Sequence, residues 1–221
     1  MIFRFLLAGI VMGISLQGCV TPPPKPDYSQ FFEHHPRSIV VVPASNTTTA
    51  VEAPIVFDTT VTRPLAERGY YVFPVFLTRD VLIDLGLSDE GILAEASPQR
   101  FKDVFGADAV LYVTIQEWVT SYIVISSSVK VTVHYKLVDT GTSTVLWEQT
   151  RTAVHQSGAG GGGNPLAALI VAAVDAAITA GAVDYRPLAI QANSMAVNPK
   201  GVGLPAGPYH PDFQKDYQNY Q

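Results

Sequence analysis

Charge and cysteine are both scarce in this chain. Of its 221 residues only 15% are Asp, Glu, Lys or Arg, the net charge is −5, and the basic residues form no block. Nucleic-acid binding is therefore not expected, because it depends on clustered Lys and Arg that neutralise phosphates. The single cysteine cannot form an internal disulfide, so the fold must hold by packing. There is no Gly-x-Ser-x-Gly elbow, no His-Glu-x-x-His pair, and no Lys-Ser/Thr after a glycine-rich loop. Those absences remove the hydrolase nucleophile, the zinc-protease helix and the P-loop. What is plentiful is apolar surface: 48% of the residues are hydrophobic, enough for a sizeable core in about one domain.

The lone cysteine is placed where it carries chemistry. Met1 to Arg4 supplies a positive start, Phe5 to Leu16 is apolar and of signal-peptide length, and small Gly18 precedes Cys19. That apolar stretch is shorter than the roughly 20 residues of a membrane span and is broken by Gly9, Gly13 and Ser15. The order Leu16-Gln17-Gly18-Cys19 resembles the lipobox of bacterial lipoproteins. The resemblance implies removal of residues 1–18, a diacylglycerol joined to the Cys19 thiol, and acylation of the new amino terminus. No other cofactor is expected. Several acyl chains hold a protein at a bilayer durably, where one does so marginally. Val20 stands where an inner-membrane retention signal places Asp, which by the same resemblance implies the outer membrane, with the domain facing the periplasm.

Residues 19–37 read as a lipidated tether, since Pro22, Pro23, Pro24 and Pro26 favour an extended polyproline form. A single α/β domain is expected over 38–197, followed by an extended Pro/Gly/Tyr-rich tail over 198–221. Ser38 to Ala44 is a β-branched run that reads as a buried strand. Ile55 to Arg68 has helical spacing and stops at Gly69, with Pro64 expected to kink or divide it. Tyr70 to Val75 is a second strand, giving a right-handed parallel strand–helix–strand unit. Thr78 and Ser97 read as N-caps of short helices, Ser97-Pro98 being the stronger signal. A long strand from Ala109 to Thr120 follows. Val129 to Val138 alternates apolar and polar residues, Asp139 to Thr142 turns, and Thr144 to Val154 returns, the mark of an antiparallel meander. The sheet is thus mixed: parallel at the start, antiparallel later, with packing helices. Asn164-Pro165 opens a helix to Ala180, either packed deep on the sheet or exposed for oligomerisation or membrane contact.

The chemical motifs are weak. Gly158-Ala159-Gly160-Gly161-Gly162-Gly163 matches the dinucleotide spacing, but a half-polar antiparallel strand precedes it and no acid-bearing strand follows, so it reads as a flexible loop. His34 and His35 read as solvated. His134 and His155 fall on strands without the third ligand that zinc requires. Asp139 reads as a turn former. No metal site and no catalytic residue are expected. Tyr70 and Tyr71 point to opposite faces, so one of them is a candidate contact residue, alongside the loop at Gly160, Gly161 and Gly162.

Ile39-Val-Val-Val-Pro43, Asn46-Thr47-Thr48, Pro64-Leu-Ala-Glu-Arg-Gly-Tyr-Tyr-Val-Phe-Pro74 and Gly203-Leu-Pro-Ala-Gly-Pro-Tyr-His-Pro211 together resemble a proteobacterial lipoprotein family catalogued as a domain of unknown function (seven-nine-nine in that series). More distantly, the opening strand, Asn-rich loop, helix and strand, with Val138 to Gly141 leading into Val145-Leu146-Trp147, are similar to the fold of CsgG, LpoB and the TolB amino-terminal domain. These resemblances imply an envelope protein that is not an enzyme and works by binding other proteins. The expected role is a component of an envelope transport or secretion assembly, with a CsgG-like partner and self-association both in view. The alternative is an LpoB-like regulator of a peptidoglycan synthase.

Overall fold

The computed structural model describes residues 26–87, 93, 96–123, 126–156, 172, 175–176 and 183–221. The β-branched run that opens the domain forms β1 (Ser38–Val41), and Ser45–Asn46 forms the short β2. Helix α2 (Ala53–Glu67) begins with Pro54 in its first turn, where a missing N–H costs nothing. It buries Ala53, Phe57, Val61 and Leu65, four residues spaced by four, which form one stripe against the sheet. Pro64 does not divide this helix, one of the two outcomes expected of it. It sits in the last turn, where one lost backbone bond is offset by the burial of Val61 and Leu65, and its own carbonyl accepts from Arg68 N at 3.0 Å. Gly69 ends the element with φ +87°, and a Cβ there would lie 2.6 Å from that of His210.

Strand β3 is only Tyr71–Val72, shorter than the span read from sequence, because Pro74 stops it and caps α3 (Val75–Asp84). Thr78 is therefore inside α3 and buried rather than at its N-cap. Ser97 does occupy the N-cap of α4 (Pro98–Phe105), which closes on the left-handed Gly106. Three long strands complete the sheet: β4 (Ala109–Ile123), β5 (Ser126–Asp139) and β6 (Val145–Gln156).

The strand order is β3-β1-β4-β5-β6, with β2 also on β4. The pairs β1–β3, β1–β4 and β2–β4 are parallel; β4–β5 and β5–β6 are antiparallel. This is the mixed α/β sheet that the alternating pattern predicts. One face carries α2 and α5 (Arg186–Val197) over the larger core, where Val129, Val131, Val133, Tyr135 and Leu137 point inward from β5. The other face carries α3 and α4 over a smaller core of Val40, Leu82, Phe101, Val110 and Val138. Beyond α4 the outer face of the hairpin bears a polar ladder.

Two segments depart from the sequence reading. Tyr28 and Phe31 are buried and Ser29–His34 forms a helix, α1, so the stretch from Tyr28 belongs to the body rather than to an extended tether. Helix α5 was not anticipated. The tail after it is not extended but a series of turns, ending in a 3-10 turn at Tyr217–Asn219, with Leu204 and Ala206 buried. The glycine run at 158–163 and nearly all of the helix expected over 164–180 lie outside the described residues.

Candidate functional site

Of the contact candidates, Cys19, Gly160, Gly161 and Gly162 lie outside the described residues. The tyrosine pair separates as the alternation requires. Tyr70 is buried at 3% exposure, its hydroxyl donating to the Pro205 carbonyl at 2.6 Å, which removes it from any contact surface. Burial pushes its phenol pKa well up. Tyr71 is 52% exposed at the sheet edge and meets Phe73 edge-on, ring centres 5.0 Å apart.

Helix α3, which follows in the chain, also exposes apolar side chains. Phe76 and Leu77 are 55% and 61% exposed, and Val81, Ile83 and Leu85 are exposed as well. At 3.6 residues per turn, Phe76 and Ile83 fall on one side of this face and Leu77 and Val81 on the other. Asp80 and Asp84 lie between them, exposed, with no ion pair among the described residues. Val75, Thr78 and Leu82 point the other way, into the protein. An α-helix that buries one face should present polar residues on the other; α3 presents an apolar border around two carboxylates.

A second concavity of about 460 Å³ lies where α4 leaves the polar half of the sheet. Its wall includes Tyr112, whose hydroxyl reaches the Ala96 carbonyl at 3.4 Å and whose phenol is pushed up to about 12 by burial. Lys136 and His134 enter from β5. Both ring nitrogens of His134 are engaged, Nε2 with Glu148 at 3.1 Å and Nδ1 with Thr150 Oγ1 at 3.0 Å. Register explains this geometry, since His134 and Thr150 are cross-strand partners and Glu148 faces Lys136. It continues a ladder in which Thr132 meets Glu117 and Thr152, and Lys130 pairs with Glu117 at 2.8 Å. Thr150 and Glu148 lie outside the concavity, so these contacts of His134 join β5 to β6.

Of the remaining histidines, His210 accepts from Asp212 N at 3.0 Å through Nδ1. His34 Nε2 meets Thr142 Oγ1 at 3.1 Å, and His35 stacks on Tyr217. His155 is buried against Asp175 at 2.8 Å, far along the hairpin from His134. Asp139 caps its turn, accepting from Gly141 N and Thr142 N. Among the described residues no group of three His, Cys, Asp or Glu could hold a metal ion, and no helix is long and apolar enough to cross a membrane.

Sequence reasoning missed a buried polar clamp. Arg68 donates to Asp216 at 2.5 Å, to the Tyr220 hydroxyl at 2.8 Å and to the Leu204 carbonyl at 2.6 Å. Asp216 also accepts from Ala206 N, and the Tyr28 hydroxyl donates to the Gly203 carbonyl at 2.6 Å. The start of the body, the end of α2 and the tail are thereby tied together.

The fold is a mixed sheet with helices on both faces at its parallel end. The chain belongs to the family described as "Putative lipoprotein GNA1162-like", whose model matches residues 26–209. It is 32% identical over 170 residues to "Putative lipoprotein NMB1124/NMB1162" of Neisseria meningitidis, covering 76% of this chain and 78% of that one. The crystal structure of lipoprotein GNA1162 from Neisseria meningitidis superposes with a TM-score of 0.55 at 31% identity, over 66% of this chain and 99% of the other. The LpoB C-terminal domain from Escherichia coli is a far more remote neighbour, with a TM-score of 0.33 at 16% identity over 53% of this chain and 82% of that domain.

Proposed function

We propose that this protein is a lipoprotein anchored through Cys19 in the outer membrane, its domain in the periplasm, binding another envelope protein without catalysing a reaction. It would serve as a component of an envelope transport or secretion assembly. The observation that carries this reading is the exposed face of Tyr71 and α3, where Phe76, Leu77, Val81 and Ile83 surround Asp80 and Asp84. Its partner would present apolar side chains around a Lys or Arg, the arrangement that hides both the apolar border and the two carboxylates. The lipobox and the lipoprotein family support the anchor; Val20 after the cysteine supports the outer membrane.

The synthase-regulator alternative is disfavoured by reach. Only eight residues separate Cys19 from the buried Tyr28, at most about 32 Å over the nine steps when fully extended.

The test is photocrosslinking in cells from positions 71 and 77. Capture of a distinct envelope protein, lost in Leu77→Asp while the melting temperature is kept, is the expected result. Capture of the same chain alone would replace the partner by self-association. No capture from either position would refute the reading.

A further inference from the structure

We propose that the cleft bounded by His35, Arg37, Tyr209, Phe213 and Gln214 seats the phosphate of a phospholipid headgroup in the membrane that carries the anchor. The inference rests on the lipoprotein reading and adds a second, reversible contact with the bilayer. The cleft has a volume of about 350 Å³.

Chain geometry keeps this end of the molecule within reach of the membrane. Tyr28 is fixed in the body, and with Cys19 in the leaflet the eight-residue connection keeps α1 within roughly 32 Å of it. Helix α1 is continuous with the cleft through aromatic contacts. Phe32 lies 4.3 Å from Tyr217 between ring centres, Phe213 meets Tyr217 edge-on at 6.3 Å, and His35 stacks on the same ring.

The cleft's chemistry suits an interface. Arg37 is exposed, and its guanidinium has no hydrogen bond or ion pair among the described residues. Its backbone is nonetheless held firmly, N donating to Asp108 at 2.9 Å and O accepting from Tyr71 N at 3.0 Å. A free guanidinium on a fixed backbone offers the forked donors that match phosphate oxygens. Tyr209, 72% exposed, supplies the amphipathic ring that favours the headgroup level of a bilayer. Exposed Asp212, next to Phe213, brings a negative charge to the same end. The ligand is therefore defined by its phosphate and not by net anionic charge.

The test uses the chain begun at Val20, which keeps every residue that makes a described contact, so vesicle binding is read without the acyl chains. Co-sedimentation is measured with vesicles of phosphatidylethanolamine and phosphatidylcholine, and with phosphate-free galactolipid vesicles. Binding to the phospholipid vesicles is expected to fall about ten-fold in Arg37→Gln, the size of losing a hydrogen bond to a charged group. It should fall further in Arg37→Gln with Tyr209→Ser, with melting temperatures unchanged, and be near background on galactolipid. Equal binding to both vesicle types, no effect of Arg37→Gln, or no vesicle association would each overturn the proposal. Arg37-dependent binding of inorganic phosphate without vesicle association would assign the cleft to a soluble phosphate instead. Loss of the anchor reading is scored separately, by lipid labelling of Cys19 in cells.

Discussion

Asp58 is a carboxylate in the wrong place for stability. It is 3% exposed on α2, Oδ1 accepts from Ala44 N at 3.3 Å, and Oδ2 has no partner. Burial raises its pKa from 3.8 to about 6, against the lowering effects of the Ala44 bond and the Arg79 charge. A folded-state value above the unfolded one means the native state holds the proton more tightly. Stability therefore falls as pH rises from about 4 to about 6, and the penalty is fully present at neutral pH. At 1.36 kcal/mol per pKa unit the penalty is at most roughly 3 kcal/mol. Asp58→Asn keeps the bond from Ala44 and removes the charge. Urea melts should show the variant more stable by up to roughly 3 kcal/mol at pH 7 and equal to the parent near pH 4. A variant that is less stable at pH 7 would mean the carboxylate has a stabilising partner.

Among the elements, the tail gains most from the structure. Residues 198–221 contain few apolar runs, and their Pro and Gly content reads as extended chain. Long-range polar contacts fold them: Arg68 reaches Asp216 and Leu204 from the end of α2. Removing one partner of a buried ion pair leaves the other uncompensated, at a cost of about 3–5 kcal/mol. Asp216→Ala should therefore lose that much in denaturant melts and expose the tail to protease ahead of the sheet. A loss below about 1 kcal/mol would reduce the clamp to a surface pair. The hairpin shows the opposite case. Val129, Val131, Val133, Tyr135 and Leu137 alternate with polar residues so strictly that strand, face and turn all follow from local pattern. Helix α5 goes unread because its buried stripe is largely alanine (Ala189, Ala192, Ala196), which marks a face weakly. For the contact surface, alternation separates Tyr70 from Tyr71 but does not say which is outside. Pro205 and the tail decide that, from more than a hundred residues away.

For the molecule as a whole, the anchor is the most exposed part of the reading and the easiest to check. Cys19→Ala should abolish palmitate incorporation in cells and leave the uncleaved precursor in place. Persistent labelling would show that the lipid sits elsewhere. On the proposed anchoring, reach would set what the protein can meet: with the body beginning by Tyr28, a partner would have to come to the membrane.

The tie between Tyr28 and Gly203 also decides where tension enters. With the chain held by the proposed anchor at Cys19, a pull would arrive at α1, and the Tyr28 bond would pass it to the tail and, through Arg68, to the end of α2. Strand β1 lies inside the sheet between β3 and β4, so it does not take the load first. Under strain the molecule should give way at its seam of termini, releasing α1 and the tail while the sheet stays whole. On the proposed anchoring, the clamp would act as a mechanical fuse between the anchor and the sheet.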